Sequence, residues 1–123
     1  MSGDKILLDT NIVLYLLNGD STLAQFLNGK VLCISIISEI ELLSFSGLKT
    51  SEEKIIKSFL SECLIFPINE KIKDSTIKIR KSYRTKLPDS IIASTSLFLG
   101  IPFISADSGF KKITEMDFIY FEK

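Results

Sequence analysis

The chain has no histidine and no tryptophan, only two cysteines and three prolines, and no net charge. Each absence excludes something. Without imidazole there is no Ser-His-Asp triad and no zinc-protease helix, so acid–base chemistry falls to carboxylates, lysines, tyrosines or metal-bound water. Cys33 and Cys63 lie in apolar runs, Val31-Leu32-Cys33-Ile34 and Cys63-Leu64-Ile65-Phe66. They read as buried free thiols of a reducing compartment, not as a zinc pair or a disulfide framework. Fifteen basic residues balance fifteen acidic ones, so no global positive field advertises nucleic-acid binding. That still leaves room for an enzyme that holds RNA briefly through a metal and local basic side chains. The apolar stretch Ile12 to Leu17 is far too short to span a bilayer and the start carries no signal pattern, so a cytoplasmic protein with no membrane partner is expected.

What is present is an aliphatic-rich chain of 123 residues, 46% hydrophobic, which sets the expectation of one domain, 1–123, around one sheet. No repeat, low-complexity tract or linker interrupts it. Strand-like runs at 5–9, 31–35, 63–67, 102–105 and 118–121 alternate with helix-like stretches at 11–17, 21–28, 36–46, 51 onward, 69–85, 88–99 and 108–113. The punctuation is specific. Asp20 or Ser21 and Asn69 suit helix N-caps, Gly47 a helix stop, and Pro88 with Gly100 bracket a helix at its two ends. The alternation predicts an α/β fold, a central, mostly parallel sheet of about five short strands flanked by helices. Ligands of such sheets gather beyond the carboxyl ends of the strands.

Carboxylates mark that edge. Asp9 and Asp107 each follow an apolar strand, while Glu41 and Asp89 lie on helices predicted to leave from the same side. A capping role explains each one alone: Asp9 and Asp107 as N-caps, Asp89 as a first-turn acid worth about 0.3–1 kcal/mol against the helix dipole, Glu41 as a solvated helical residue. Converged, they need more. Two carboxylates about 5 Å apart repel by roughly 3 kcal/mol at an effective dielectric of 20. A hard divalent cation, Mg²⁺ or Mn²⁺, removes that repulsion and brings phosphodiester chemistry within reach. Glu39 competes with Glu41, because the two lie about 200° apart around a helix. The apolar face of 36–48 is roughly 70° from Glu41 and about 130° from Glu39, which makes Glu41 the inward acid.

Taken in order, Leu7-Leu8-Asp9-Thr10-Asn11, Ser38-Glu39-Ile40-Glu41-Leu42-Leu43, Leu87-Pro88-Asp89-Ser90-Ile91-Ile92-Ala93 and Ile104-Ser105-Ala106-Asp107 make a recognisable set. The chain resembles the PIN domain family, and within it the VapC-type toxins of toxin–antitoxin pairs. The resemblance implies a PIN-like fold and a Mg²⁺- or Mn²⁺-dependent endoribonuclease. Asp9, Glu41, Asp89 and Asp107 would be its catalytic, metal-holding acids, and Asn11 and Ser105 its supporting polar groups. It also implies an RNA substrate, a homodimer and a cognate antitoxin that blocks the pocket.

Arg80, Lys81, Arg84 and Lys86 precede Asp89 and suit phosphate contacts, though a solvated helix face explains them more readily. Other readings stay open: a PIN nuclease of RNA processing outside any toxin–antitoxin pair, a non-catalytic PIN binding module, or a phospho-acceptor receiver. A receiver wants an aspartate after the third strand, where this chain has Phe66-Pro67-Ile68.

Overall fold

Five short strands define the architecture of the computed structural model, which describes residues 4–123; the first three residues of the expected 1–123 domain lie outside it. In chain order they are β1 (Lys5–Leu8), β2 (Val31–Ser35), β3 (Leu64–Phe66), β4 (Phe103–Ser105) and β5 (Phe118–Tyr120). They pair in the order β3-β2-β1-β4-β5, every pair parallel, where the sequence pattern asked only for a mostly parallel sheet. Six helices connect them: α1 (Thr10–Leu17), α2 (Ser21–Leu27), α3 (Ile36–Ser44), α4 (Thr50–Ser61), α5 (Glu70–Tyr83) and α6 (Leu87–Leu99), with a 3₁₀ turn at Ser108–Lys112.

Strand alternation sorts the side chains into two cores, because successive residues of a strand point to opposite faces. Ile6, Leu8, Ile34 and Ile104 join α1, α2 and α4 on one face. Leu7, Cys33 and Phe103 join α5, α6 and the 3₁₀ turn on the other. Both faces are covered, which is why these strands read as continuous apolar runs. Each fully buried Ile or Leu contributes about 1.5–3 kcal/mol. Both cysteines are free thiols, Cys33 buried in the sheet and Cys63 half-buried.

The caps follow the predicted chemistry. Asp20 accepts from the Leu23 N–H at 3.0 Å and Asn69 from the Ile72 N–H at 2.8 Å. Gly100 ends α6 in the left-handed region, φ 64°, where a Cβ is unfavourable. Two helices stop earlier than expected. α3 ends at Ser44 because Phe45 turns extended. α5 ends at Tyr83 because Arg84 takes the left-handed conformation, φ 54°. The segment 108–113, expected as a short helix, is the 3₁₀ turn.

The strand order contains one reversal. β1, β2 and β3 run outward in one direction, and β4 and β5 continue on the other side of β1. A crevice forms beyond the carboxyl ends of strands where the order reverses, here between β1 and β4. Asp9 follows β1 directly, and Asp107 stands two residues beyond β4.

Candidate active site

Asp9 is fixed from three sides. Its N–H continues the sheet by donating to the Ile104 carbonyl at 3.0 Å. Its Oδ1 accepts from the Thr10 N–H at 2.8 Å, which makes it the N-cap of α1. Its Oδ2 accepts from the Ser105 hydroxyl at 2.6 Å. The residue is 7% exposed. Burial, more than any neighbour, drives its carboxyl pKa up from 3.8 to about 6; Asp89 and Glu41 push the same way, while the Ser105 and Thr10 hydrogen bonds oppose. The cap bond occupies one oxygen edge and leaves the group in a crevice.

Ser105 is a junction, accepting from the Asp107 N–H at 2.9 Å while donating to Asp9. Asp107 caps the 3₁₀ turn through the Gly109 N–H at 2.8 Å and is exposed. Asn11 uses its side-chain oxygen on the Ala106 N–H at 3.4 Å, tying α1 to the end of β4. Its amide N–H donors and the second lone pair of that oxygen remain for a ligand.

Glu41 arrives on α3. Its Oε1 accepts from the Thr10 hydroxyl at 2.6 Å, and that hydroxyl lies 3.0 Å from the buried Ser38 Oγ. Glu41 is thus the acid of its pair that reaches the crevice, as its helical angle predicted. The burial order is the reverse of the expectation, however: Glu41 is exposed and Glu39 half-buried. The reason is the crevice, which is open to solvent, so facing it leaves Glu41 more accessible than a residue packed beside α3. Asp89, half-buried at the start of α6, has its pKa raised first by desolvation, then by Asp107 and Glu41, with Lys86 and Lys112 pulling it down.

These acids, separated by up to 98 positions in the sequence, share one open cup of about 430 Å³ lined by Asp9, Thr10, Asn11, Leu14, Glu41, Phe45, Asp89 and Asp107. The donors are all oxygen, which suits a hard cation. The side chains surround the cup without closing on its centre: among the described residues no three acids form a ready-made coordination group. A cation would have to draw them inward.

Four basic residues were expected beside the cup, and the structure divides them. Arg84 and Lys86 line a second, smaller cavity that shares Asp89 and Asp107 with the cup. Arg80 and Lys81 line neither cavity, and Arg80 instead donates from Nε to the Thr85 carbonyl at 3.3 Å. Sequence reasoning missed Ser38 and Lys112. Ser38 was legible as the residue one turn before Glu41 on the same helical face; Lys112 carried no motif.

A family model for the PIN domain matches residues 6–116. Among solved structures, the chain is similar to a toxin–antitoxin complex from Klebsiella pneumoniae, with a TM-score of 0.80, 27% identity and 93% of this chain covering 95% of that one. It is also similar to VapBC2 from Rickettsia felis bound to a promoter DNA fragment (TM-score 0.85, 21% identity, 96% and 99% covered). A third is DNA-bound VapBC from Salmonella typhimurium (TM-score 0.81, 18% identity, 94% and 97% covered). No curated protein matches.

Proposed function

The chain belongs to the PIN domain family, and on that premise we propose that it is a Mg²⁺- or Mn²⁺-dependent endoribonuclease, the VapC-type toxin of a toxin–antitoxin pair. One observation carries the reading: four acids from distant parts of the sequence line a single cup at the reversal of the sheet, and the most buried of them, Asp9, is held there at the cost of a raised pKa. Structural neighbours that are toxin–antitoxin complexes support the toxin class.

Asp9, Glu41, Asp89 and Asp107 would hold the cation, which when bound neutralises the carboxylates and activates a phosphodiester toward water. Hydrolysis places the water oxygen on phosphorus, and the departing oxygen takes up a proton. With no histidine in the chain, the proton released by water goes to a carboxylate. Asp89 suits this role, because burial and the neighbouring Asp107 and Glu41 raise its affinity for a proton and it lines the cup. Ser105 and the Thr10 N–H orient Asp9, and the Thr10 hydroxyl orients Glu41. Asn11 offers its amide N–H to a phosphate oxygen.

An antitoxin also has a place to lie. A groove lined by Leu14, Leu17, Phe45, Leu48 and the exposed Ile55 runs into the cup, since Leu14 and Phe45 line both. An apolar segment seated there would lead a basic side chain onto the acids. The reading includes a homodimer in the cytoplasm; among the described residues no helix is long and apolar enough to cross a membrane.

The test is cleavage of tRNA, rRNA and mRNA with Mn²⁺ and with excess chelator, using wild type and Asp9→Asn. Cleavage is expected only for wild type with metal, with at least a ~10³-fold loss in the variant. Equal activity in chelator would refute the reading. The incomplete closure of the acids favours one alternative, a non-catalytic binding module. Saturable Mn²⁺ binding that disappears in Asp9→Asn excludes that alternative.

A further inference from the structure

Beside the acid cup lies a cavity of about 180 Å³ whose lining includes Arg84, Lys86, Lys112, Asp89 and Asp107. It is several times the ~30 Å³ that one liquid water occupies, enough for a phosphate group. Its cations come from three elements: Arg84 from the end of α5, Lys86 from the start of α6, and Lys112 from the 3₁₀ turn after β4. Arg84 and Lys86 stand two residues apart on the connection between α5 and α6, and the fold brings Lys112 to them.

None of the three is committed elsewhere. Among the described residues the ion pairs are Lys57–Glu53, Lys73–Glu70 and Lys123–Asp20. Arg84, Lys86 and Lys112 form none, although Asp89 and Asp107 line the same cavity. Lys86 occupies the N-cap position of α6 without its side chain capping a backbone N–H. Both Lys86 and Lys112 nevertheless act on Asp89 electrostatically, which places them within range of it. Asp89 and Asp107 form the wall shared by the two cavities, so a ligand crossing that wall meets acids on one side and uncommitted cations on the other.

A polyanion in which phosphates recur at short intervals fits this layout. One phosphate would lie at the acid cup and a neighbouring one among the cations. We propose that Arg84, Lys86 and Lys112 form a subsite for a phosphate of single-stranded RNA adjacent to the one that is cleaved, an inference that rests on the nuclease reading above. The subsite positions the strand and carries no base preference, because phosphate contacts fix register without reading sequence. It adds Lys112 to the substrate contacts and removes Arg80 and Lys81 from them.

The test measures binding of a 12-nucleotide oligouridylate to the full chain carrying Asp9→Asn, in Mg²⁺, as a function of salt. The added substitutions are Arg84→Asn with Lys112→Gln, asparagine being a residue that tolerates the left-handed backbone at Arg84. The pair should weaken binding about tenfold and make the slope of log K against log salt shallower by about 0.7, the value for one phosphate of a single strand. Lys112→Arg should restore binding where Lys112→Gln does not. Lys86→Gln alone, at a site with no packing role, gives the same readout if the double variant fails to fold. Unchanged affinity and slope overturn the subsite while wild-type cleavage keeps the nuclease reading standing. Wild type that does not cleave RNA, together with a parent that does not bind it, overturns both. Displacement of the RNA by polyglutamate as effectively as by a matched oligonucleotide also overturns it, in favour of a protein ligand.

Discussion

At the scale of single residues, Asp9 sets a conflict between stability and chemistry. Its folded pKa of about 6 lies above the ordinary 3.8, so the folded state prefers the protonated form. Below pH 3.8 that preference contributes fully. As pH rises through 6 the unfolded chain has already released a proton that the folded one must give up against its surroundings, and the contribution is lost. For the metal-free protein this amounts to about 3 kcal/mol in all, most of it lost between pH 4 and pH 7. Urea unfolding in chelator should therefore show a pH-dependent fall in stability that is smaller by about that amount in Asp9→Asn. Identical pH profiles would mean that Asp9 ionises freely. Ser105 works in the opposite sense, since its hydroxyl stabilises the carboxylate.

At the scale of elements, α3 delivers one acid and withholds another. Thr10 holds Glu41 at the cup, and no hydrogen bond joins Glu39 to it among the described residues. Glu41→Gln should lower kcat by about 10²-fold or more, whereas Glu39→Gln should stay within a few-fold of wild type. Comparable losses from both would contradict the assignment. The helical angles placed Glu41 toward the crevice but misjudged which of the two acids is the more buried; the strands, the caps at Asp20 and Asn69 and the stop at Gly100 were legible in the sequence. Two things were not. The left-handed turn at Arg84 depends on how α5 and α6 pack, because nothing in Tyr83-Arg84-Thr85 demands it. The meeting of Lys112 with Arg84 and Lys86 depends on where β4 lies in the sheet, a contact that no local pattern encodes. Acids were easier to place than cations, because the carboxylates follow strand ends directly while the lysines and arginine stand on connecting turns.

At the scale of the whole molecule, metal and partner should act on different surfaces. Saturating Mn²⁺, at about 100 times its dissociation constant, should stabilise wild type by about 2.7 kcal/mol, read as a rise in melting temperature, and should leave Asp9→Asn nearly unchanged. An equal rise in both would place the metal elsewhere. Ile55→Glu alters an exposed residue of the apolar groove that does not line the cup. It should weaken antitoxin binding by about tenfold or more and spare RNA cleavage; unaltered binding in titration calorimetry would move the antitoxin off this groove. A final consequence follows from the bond between Ser105 and Asp9, which joins residues 96 positions apart. On the proposed nuclease reading, a ribosome making this protein carries an inactive polypeptide until Ser105 has been added. Nonsense mutations upstream of that point should then release fragments without RNA cleavage, read in the same cleavage assay.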